Sequence, residues 1–271
     1  MYMLLRETGF SFNGLHSRDN FGMIYAEKEG HNIIPGIERN EYQIAGISGT
    51  ILLPGETRKP MVFDGTLYPA QERATQAQAQ QLLRQVSAWL TAGRCPLIFD
   101  YEPGLFYMAE LTDASKWSLK NWFGGELPIT FTAQPFAYSV NVATATANTS
   151  TGSASLALNV STGEPAPLVM TIKNTGAATI KGVQISIGNE TPIILAGMTL
   201  AAGRTLTIDM ETPIGATIDS GSNAAPTNAL PYASAFTPVL LPDGQTTLAV
   251  ALTYGSGTKG AQITAQARGR Y

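Results

Sequence analysis

The stretch Phe10-Ser11-Phe12-Asn13-Gly14, continued by Ser17-Arg18-Asp19 and Phe21-Gly22, carries the most decisive reading in the chain. Successive side chains of an extended backbone point to opposite faces, so the alternating aromatics put the rings of Phe10 and Phe12 on one face of a short strand. Asn-Gly accepts the positive φ angles of a two-residue hairpin turn, and the chain is expected to reverse at Gly14. A second pair, Asp64-Gly65, lies between Met61-Val62-Phe63 and Thr66-Leu67-Tyr68 and predicts another hairpin on the same grounds.

Outward from these two points, Ile44, Ile47, Ile51 and Leu52 mark short apolar segments separated by Gly46, Gly49 and an expected turn at Pro54-Gly55. From Thr75 to Thr91 the pattern changes to Ala, Gln and Leu. Leu82, Val86, Trp89 and Leu90 share one helical face, which Leu83 widens, while Gln76, Gln78, Gln80 and Gln81 form a solvated face. This predicts one helix over about 75–92, with Thr75 as its N-cap and Gly93 and Pro96 as its stop. Strand-like segments follow at 96–99, 105–108, 117–119 and 127–132. Strands, then a helix, then strands describe an α+β domain in which one helix covers a largely antiparallel sheet.

At Pro135-Phe136-Ala137-Tyr138 the composition turns small and polar, and the three tryptophans, Trp89, Trp117 and Trp122, all lie before it. We therefore expect two domains, 1–138 and 139–271. In the second half apolar residues alternate without helical period: Leu168, Met170, Ile172; Val183, Ile185, Ile187; Leu206, Ile208; Leu248, Val250, Leu252; Ala261, Ile263, Ala265, Ala267. With turns at Asn174-Thr175-Gly176, Ala202-Gly203 and Pro242-Asp243-Gly244, these strands predict a two-sheet β-sandwich and a mainly β chain overall. Asp219 to Phe236 is too poor in periodic apolar residues for a core strand and is expected to be a long surface loop.

The 271 residues carry only 14% charged side chains and a formal net charge of −3, with 27 Gly and 16 Pro. No Lys/Arg run offers the clustered cations that grip nucleic acid. Met1-Tyr2-Met3-Leu4-Leu5 is apolar but too short for a membrane span and has no cationic segment before it, so neither an export signal nor membrane insertion is expected. The single cysteine, Cys95, cannot form an intrachain disulfide, fits folding in a reducing cytoplasm, and opens an apolar run as a small hydrophobe. His16 and His31 are the only histidines; they read as surface or interface residues and supply neither a zinc ligand set nor the base of a recognisable nucleophile elbow. Gly255-Ser256-Gly257-Thr258-Lys259-Gly260 lacks phosphate-loop spacing and lies between strands, as a hairpin loop would. No catalytic, metal or cofactor residue is assigned. The rival from another class is a glycan-binding β-sandwich, whose candidate contacts are the aromatic pair Tyr232 and Phe236. A polysaccharide hydrolase built on two scattered carboxylates is the third and weakest reading.

The Phe-x-Phe-Asn-Gly and Ser-x-Asp elements at Phe10–Gly14 and Ser17–Asp19 resemble the N-terminal domain of the distal tail protein of long-tailed, non-contractile bacteriophages. The Phe131–Tyr138 segment is similar to the end of that domain. Leu206–Asp209 and Phe236–Gly244 resemble a strand, loop and strand of its second domain. Asn20, inserted between Asp19 and Phe21, and Asp243 depart from the family's pattern and bear on local loop geometry. The resemblance implies a galectin-like or carbohydrate-binding-module-like second domain and a homohexameric ring built by the first. That ring would join the tail tube to a tail-associated tip protein and anchor receptor-binding proteins. It would sit in the virion tail after synthesis in the host cytoplasm, with DNA crossing its lumen unbound. The interface residues proposed from the motif are Phe10, Phe12, Asn13 and Asp19.

Overall fold

A computed structural model describes residues 9–28, 35–43, 48, 50–70, 75–114, 118–121, 124–211, 215–219, 221 and 225–271. Two compact units divide the chain, Met1–Val140 and Asn141–Tyr271. The first contains β1 (Phe10–Phe12), β2 (Leu15–His16), α1 (Ser17–Phe21), β3 (Met23–Glu27), β4 (Ile37–Gln43), β5 (Thr50–Arg58), β6 (Met61–Pro69), α2 (Gln76–Leu90), β7 (Cys95–Phe99), β8 (Leu105–Ala114), β9 (Ser118–Asn121) and the first part of β10 (Gly124–Thr149). Its main sheet runs β3-β6-β10-β8-β7-β1-β2 with antiparallel neighbours throughout. The strands β4 and β5 form a separate two-stranded sheet.

The helix α2 forms where its periodicity places it. Thr75 caps it, its hydroxyl accepting the Gln78 N–H at 3.3 Å, and Leu82, Val86, Trp89 and Leu90 are buried while the glutamines face water. That buried face packs with Phe10, Phe12, Phe63, Phe99, Phe131 and Met23 into one core. Rings so placed bury large apolar areas and meet edge-on or offset, which adds to the burial term.

The Asp64-Gly65 hairpin does not form. β6 runs unbroken through both residues, pairing with β10 on one side and β3 on the other. Here tertiary pairing overrides local turn propensity. Glycine serves a different purpose at position 65: a Cβ there would collide with the ring of Tyr25. Pro54-Gly55 is likewise not a reversal. It lies within β5, at a register shift opposite Arg39–Glu41, with Gly55 at φ 111. A bulge accepts the proline that a regular ladder position would reject. A second, five-residue helix, α1, joins the expected one. The expected positions Ile44, Ile47, His31, Trp117 and Trp122 lie outside the described residues.

The second unit takes the end of β10 and adds β11 (Ser153–Val160), β12 (Ala166–Asn174), β13 (Ile180–Ile187), β14 (Glu190–Leu200), β15 (Thr205–Asp209), β16 (Gly215–Ile218), β17 (Thr227–Asn228), β18 (Ala233–Phe236), β19 (Leu240–Leu241), β20 (Gly244–Tyr254) and β21 (Ala261–Arg270). One sheet runs β17-β16-β15-β12-β21, with the end of β10 beside β21; the other runs β11-β20-β13-β14-β18. The alternating sets meet between these sheets, with Leu168, Met170, Ile172, Ile185, Leu206, Ile208, Leu248 and Ile263 all fully buried. Asn174 is the polar exception. Its carboxamide donates to the Ala178 and Leu200 carbonyls at 2.9 Å each and accepts from Gly176 N–H at 3.1 Å, so its burial leaves nothing unpaired.

Two expectations change in this unit. Gly255–Gly260 is not a hairpin loop, because β20 and β21 belong to opposite sheets and the segment crosses between them. The span 219–236 is not a plain loop either. It holds β17, a 3-10 turn at Leu230–Tyr232 and β18, whose residues pair along the edge of β14. Edge pairing uses backbone groups, so the sparse apolar pattern gave no signal of it.

Candidate functional site

The N-terminal corner is built by the residues that stood out in the sequence. Asn13 and Gly14 have φ of 50 and 74, and Phe12 pairs with Leu15, so β1 and β2 close through a two-residue turn with both central residues left-handed. The Asn13 N–H donates to the Pro96 carbonyl at 3.2 Å, tying the turn to β7. Immediately after β2 the chain enters α1. His16 is its N-cap, with Nδ1 accepting the Asp19 N–H at 3.2 Å, and Gly22 ends it at φ 64 with its N–H on the Arg18 carbonyl at 2.7 Å.

Each element of the Ser-x-Asp motif has a structural task. Ser17 is fully buried, and its hydroxyl accepts the Phe10 N–H at 3.2 Å. Asp19 supplies the N–H that His16 caps, while its side chain is 81% exposed. Because Nδ1 of His16 accepts, its proton resides on Nε2, which donates to Asp100 at 2.9 Å from Oδ1. Asp100 in turn gives its N–H to the Gly9 carbonyl at 3.1 Å. A Cβ on Gly9 would stand 2.5 Å from Asp100 Oδ2 and 2.9 Å from the His16 ring, so this clasp closes only over a glycine.

Beneath the corner, Trp89 of α2 donates its indole N–H to the Phe12 carbonyl at 2.7 Å. Its ring stacks on Phe10 at 5.3 Å and on Phe21 at 4.5 Å. Phe131 meets Phe10 edge-on at 5.5 Å and Phe12 at 5.2 Å. The opening motif and the Phe131–Tyr138 segment therefore belong to one aromatic cluster. Further along that segment β10 bulges: residues 134–136 stand opposite Met108 alone, and the Arg58 guanidinium lies 5.2 Å over the Phe136 ring. Burial, reinforced by neighbouring carboxylates, pushes the phenols of Tyr25 and Tyr107 well above the usual tyrosine value. Tyr107 accordingly stays a donor, to Glu102 at 2.9 Å.

This geometry separates the four proposed interface residues. Phe10 and Phe12 are 0% exposed; the alternation that selected their common face selected the core, so neither ring can contact a neighbour from the folded protomer. Asn13 and Asp19 are exposed, and Leu15 beside them is 40% exposed. Asp100 and Gly9 are residues that sequence reasoning missed: Asp100 is 84 positions from His16, with no local pattern linking them. Of the aromatic pair in the second unit, Tyr232 is 38% exposed, but Phe236 pairs with Ile193 on β18 and packs half-buried against the core. No ring contact joins them. Cys95 is partly buried against the first core, its thiol 4.0 Å from the Ala92 carbonyl. Among the described residues, no group of three or more His, Cys, Asp or Glu is placed to hold a metal ion, and no helix is long and apolar enough to cross a membrane.

No family model matches the chain, and no curated protein matches it. Among solved structures it is similar to the Dit protein of phage SPP1, described as a paradigm of the hub adsorption apparatus in phages infecting Gram-positive bacteria. That likeness has a TM-score of 0.67 at 13% identity and covers 97% of this chain and 98% of the other. A chain of the phage P2 baseplate in its calcium-activated conformation is similar with a TM-score of 0.54 at 10% identity, over 93% and 92% of the two chains. Over nearly its whole length, the chain therefore has the fold of the distal tail protein that its opening motif resembles.

Proposed function

We propose that this chain is a structural virion protein, the hub of a phage tail. In this reading its first unit closes into a homohexameric ring between the last ring of tail-tube protein and a tail-associated tip protein. The second unit offers an attachment point for receptor-binding components, and DNA passes through the lumen without being held. The observation that carries the reading is the likeness of fold to the SPP1 hub protein across both units, at 97% and 98% coverage. Physical chemistry supports it in two ways. The main sheet of the first unit ends in β3 and β2, and a closed ring is one way to cover such edges without open-ended growth. A formal net charge of −3 without a cationic run suits a passage that must not bind DNA. The role is one of assembly, with no reaction catalysed.

The contact surface we assign is the exposed tip of the corner, Asn13, Leu15 and Asp19. Sedimentation of the purified protein tests it. The wild type is expected to run as a single species larger than the protomer, and Asp19→Arg and Leu15→Arg to run as folded protomers. Particles unchanged in both variants would remove this surface from the interface. The rival reading as a glycan-binding module rests on exposed Tyr232; saturable binding to cell-wall polysaccharide that Tyr232→Ala abolishes would revive it.

A further inference from the structure

We propose that Asn13 is a site of spontaneous deamidation, a chemical modification that rewrites the turn at the edge of the first unit's sheet. Four features of the structure converge on it. Asn13-Gly14 is the only Asn-Gly pair in the chain. Asn13 is exposed, and the hydrogen bond it makes to another described residue is through its backbone N–H, which leaves the carboxamide free. Gly14 is exposed as well, and a Cβ on it would meet nothing within 4 Å, so the turn projects into open space. The turn also lies at the end of the sheet: β2 is two residues long and, among the described strands, pairs with β1 alone, and the Asn13 N–H to Pro96 carbonyl bond is one that opening must break. Short segments at a sheet end open locally without global unfolding.

The chemistry needs only water. The Gly14 backbone nitrogen, losing its proton, attacks Cγ of Asn13; the N–Cγ bond forms, the Cγ–Nδ2 bond breaks, and the amide leaves with that proton as ammonia. Water then opens the resulting five-membered succinimide. Attack at Cγ gives aspartate, and attack at the backbone carbonyl gives isoaspartate.

The two products act differently on the fold. Aspartate keeps the backbone, and Asp-Gly is itself a good two-residue turn. It changes the corner by one negative charge. Isoaspartate routes the main chain through the side chain and adds a methylene, so the Phe12 to Leu15 closure across two residues is lost. Other asparagines lack the combination. Asn174, for example, is fully buried with its carboxamide bonded on both sides and is followed by Thr175.

The tail-hub reading puts Asn13 on a subunit contact that ring closure would cover, so the proposal concerns the unassembled protomer. Its test reads mass, not assembly, and Leu15→Arg, expected to stay a protomer, is run beside the wild type so that the two readings fail separately. Purified full-length protein is held folded in mildly alkaline buffer, sampled over time and digested with trypsin. Peptide 7–18 contains Asn13 as its sole asparagine. This peptide is expected to be the first to gain about 1 Da, with isoaspartate resolved from aspartate by its different elution. In Asn13→Gln, where the corresponding ring closes far more slowly, the gain is absent while circular dichroism stays native. If the peptide remains unmodified in the folded protein, but gains the mass when the same protein is incubated in denaturant, the turn protects Asn13 and the proposal is wrong.

Discussion

The two units build their cores from different side chains. The first gathers Trp89, Phe10, Phe12, Phe63, Phe99 and Phe131 into one buried cluster with Tyr25 and Tyr107. The buried set of the second contains no aromatic residue; it is Leu, Ile, Val, Met and Ala between two sheets, with Phe236 and Tyr254 only partly buried at its margin. Rings have preferred angles and carry polar edges, so the first core ties particular residues to particular partners. An aliphatic sandwich asks chiefly for the right volume on alternate positions and accepts many arrangements. The difference shows how one chain combines a specific corner with a generic domain.

Truncations in the two cores have the largest expected effects. Trp89→Ala removes two stacked contacts and the bond to the Phe12 carbonyl, and is expected to cost about 3–5 kcal/mol. Ile172→Ala in the second core is expected to cost about 2–5 kcal/mol. Because all three tryptophans precede residue 141, their fluorescence reports the first unit, and circular dichroism reports both. Denaturant titrations should show Ile172→Ala shifting the dichroism transition more than the fluorescence transition. A common shift of both would mean that the units unfold as one.

A smaller effect is expected at Gly65. Alanine there meets the ring of Tyr25, which is only 4% exposed, so the ring must shift within the core. The expected cost is about 1–3 kcal/mol in the same titration. A neutral result would show that β6 and β3 can slide apart.

Alkaline pH separates the units more gently. With the phenols of Tyr25 and Tyr107 raised by burial, the folded first unit keeps protons that the unfolded chain releases above the ordinary tyrosine value of 10.0. The folded state then binds more protons than the unfolded one, so stability falls as pH rises past that value. Tyr254 supplies a similar but single term in the second unit. The fluorescence transition should therefore move to lower denaturant at alkaline pH by more than the remaining dichroism change does.

Legibility in the sequence followed the range of the forces involved. The turn at Asn13-Gly14, the cap at Thr75 and the buried faces of α2 and β12 are local consequences of residue type and period, and the structure has them all. Asp64-Gly65 misled because the same dipeptide that favours a turn also clears room for a ring, and only the partner Tyr25 decides between the two. Phe10 and Phe12 were legible as one face but not as an inward face. The His16, Asp100 and Gly9 clasp was invisible, since its members meet only after β1, β2 and β7 have paired. The connection at Gly255–Gly260 looked like a hairpin because sequence order carries no record of which sheet a strand joins.

Whether the chain is a ring-forming hub is decided by electron microscopy of the purified protein, alone and mixed with tail-tube rings. Particles of six-fold symmetry with an open centre are expected, the ring density fitted by the first unit. A 28.8 kDa protomer that stays monomeric in both preparations would overturn the hub reading.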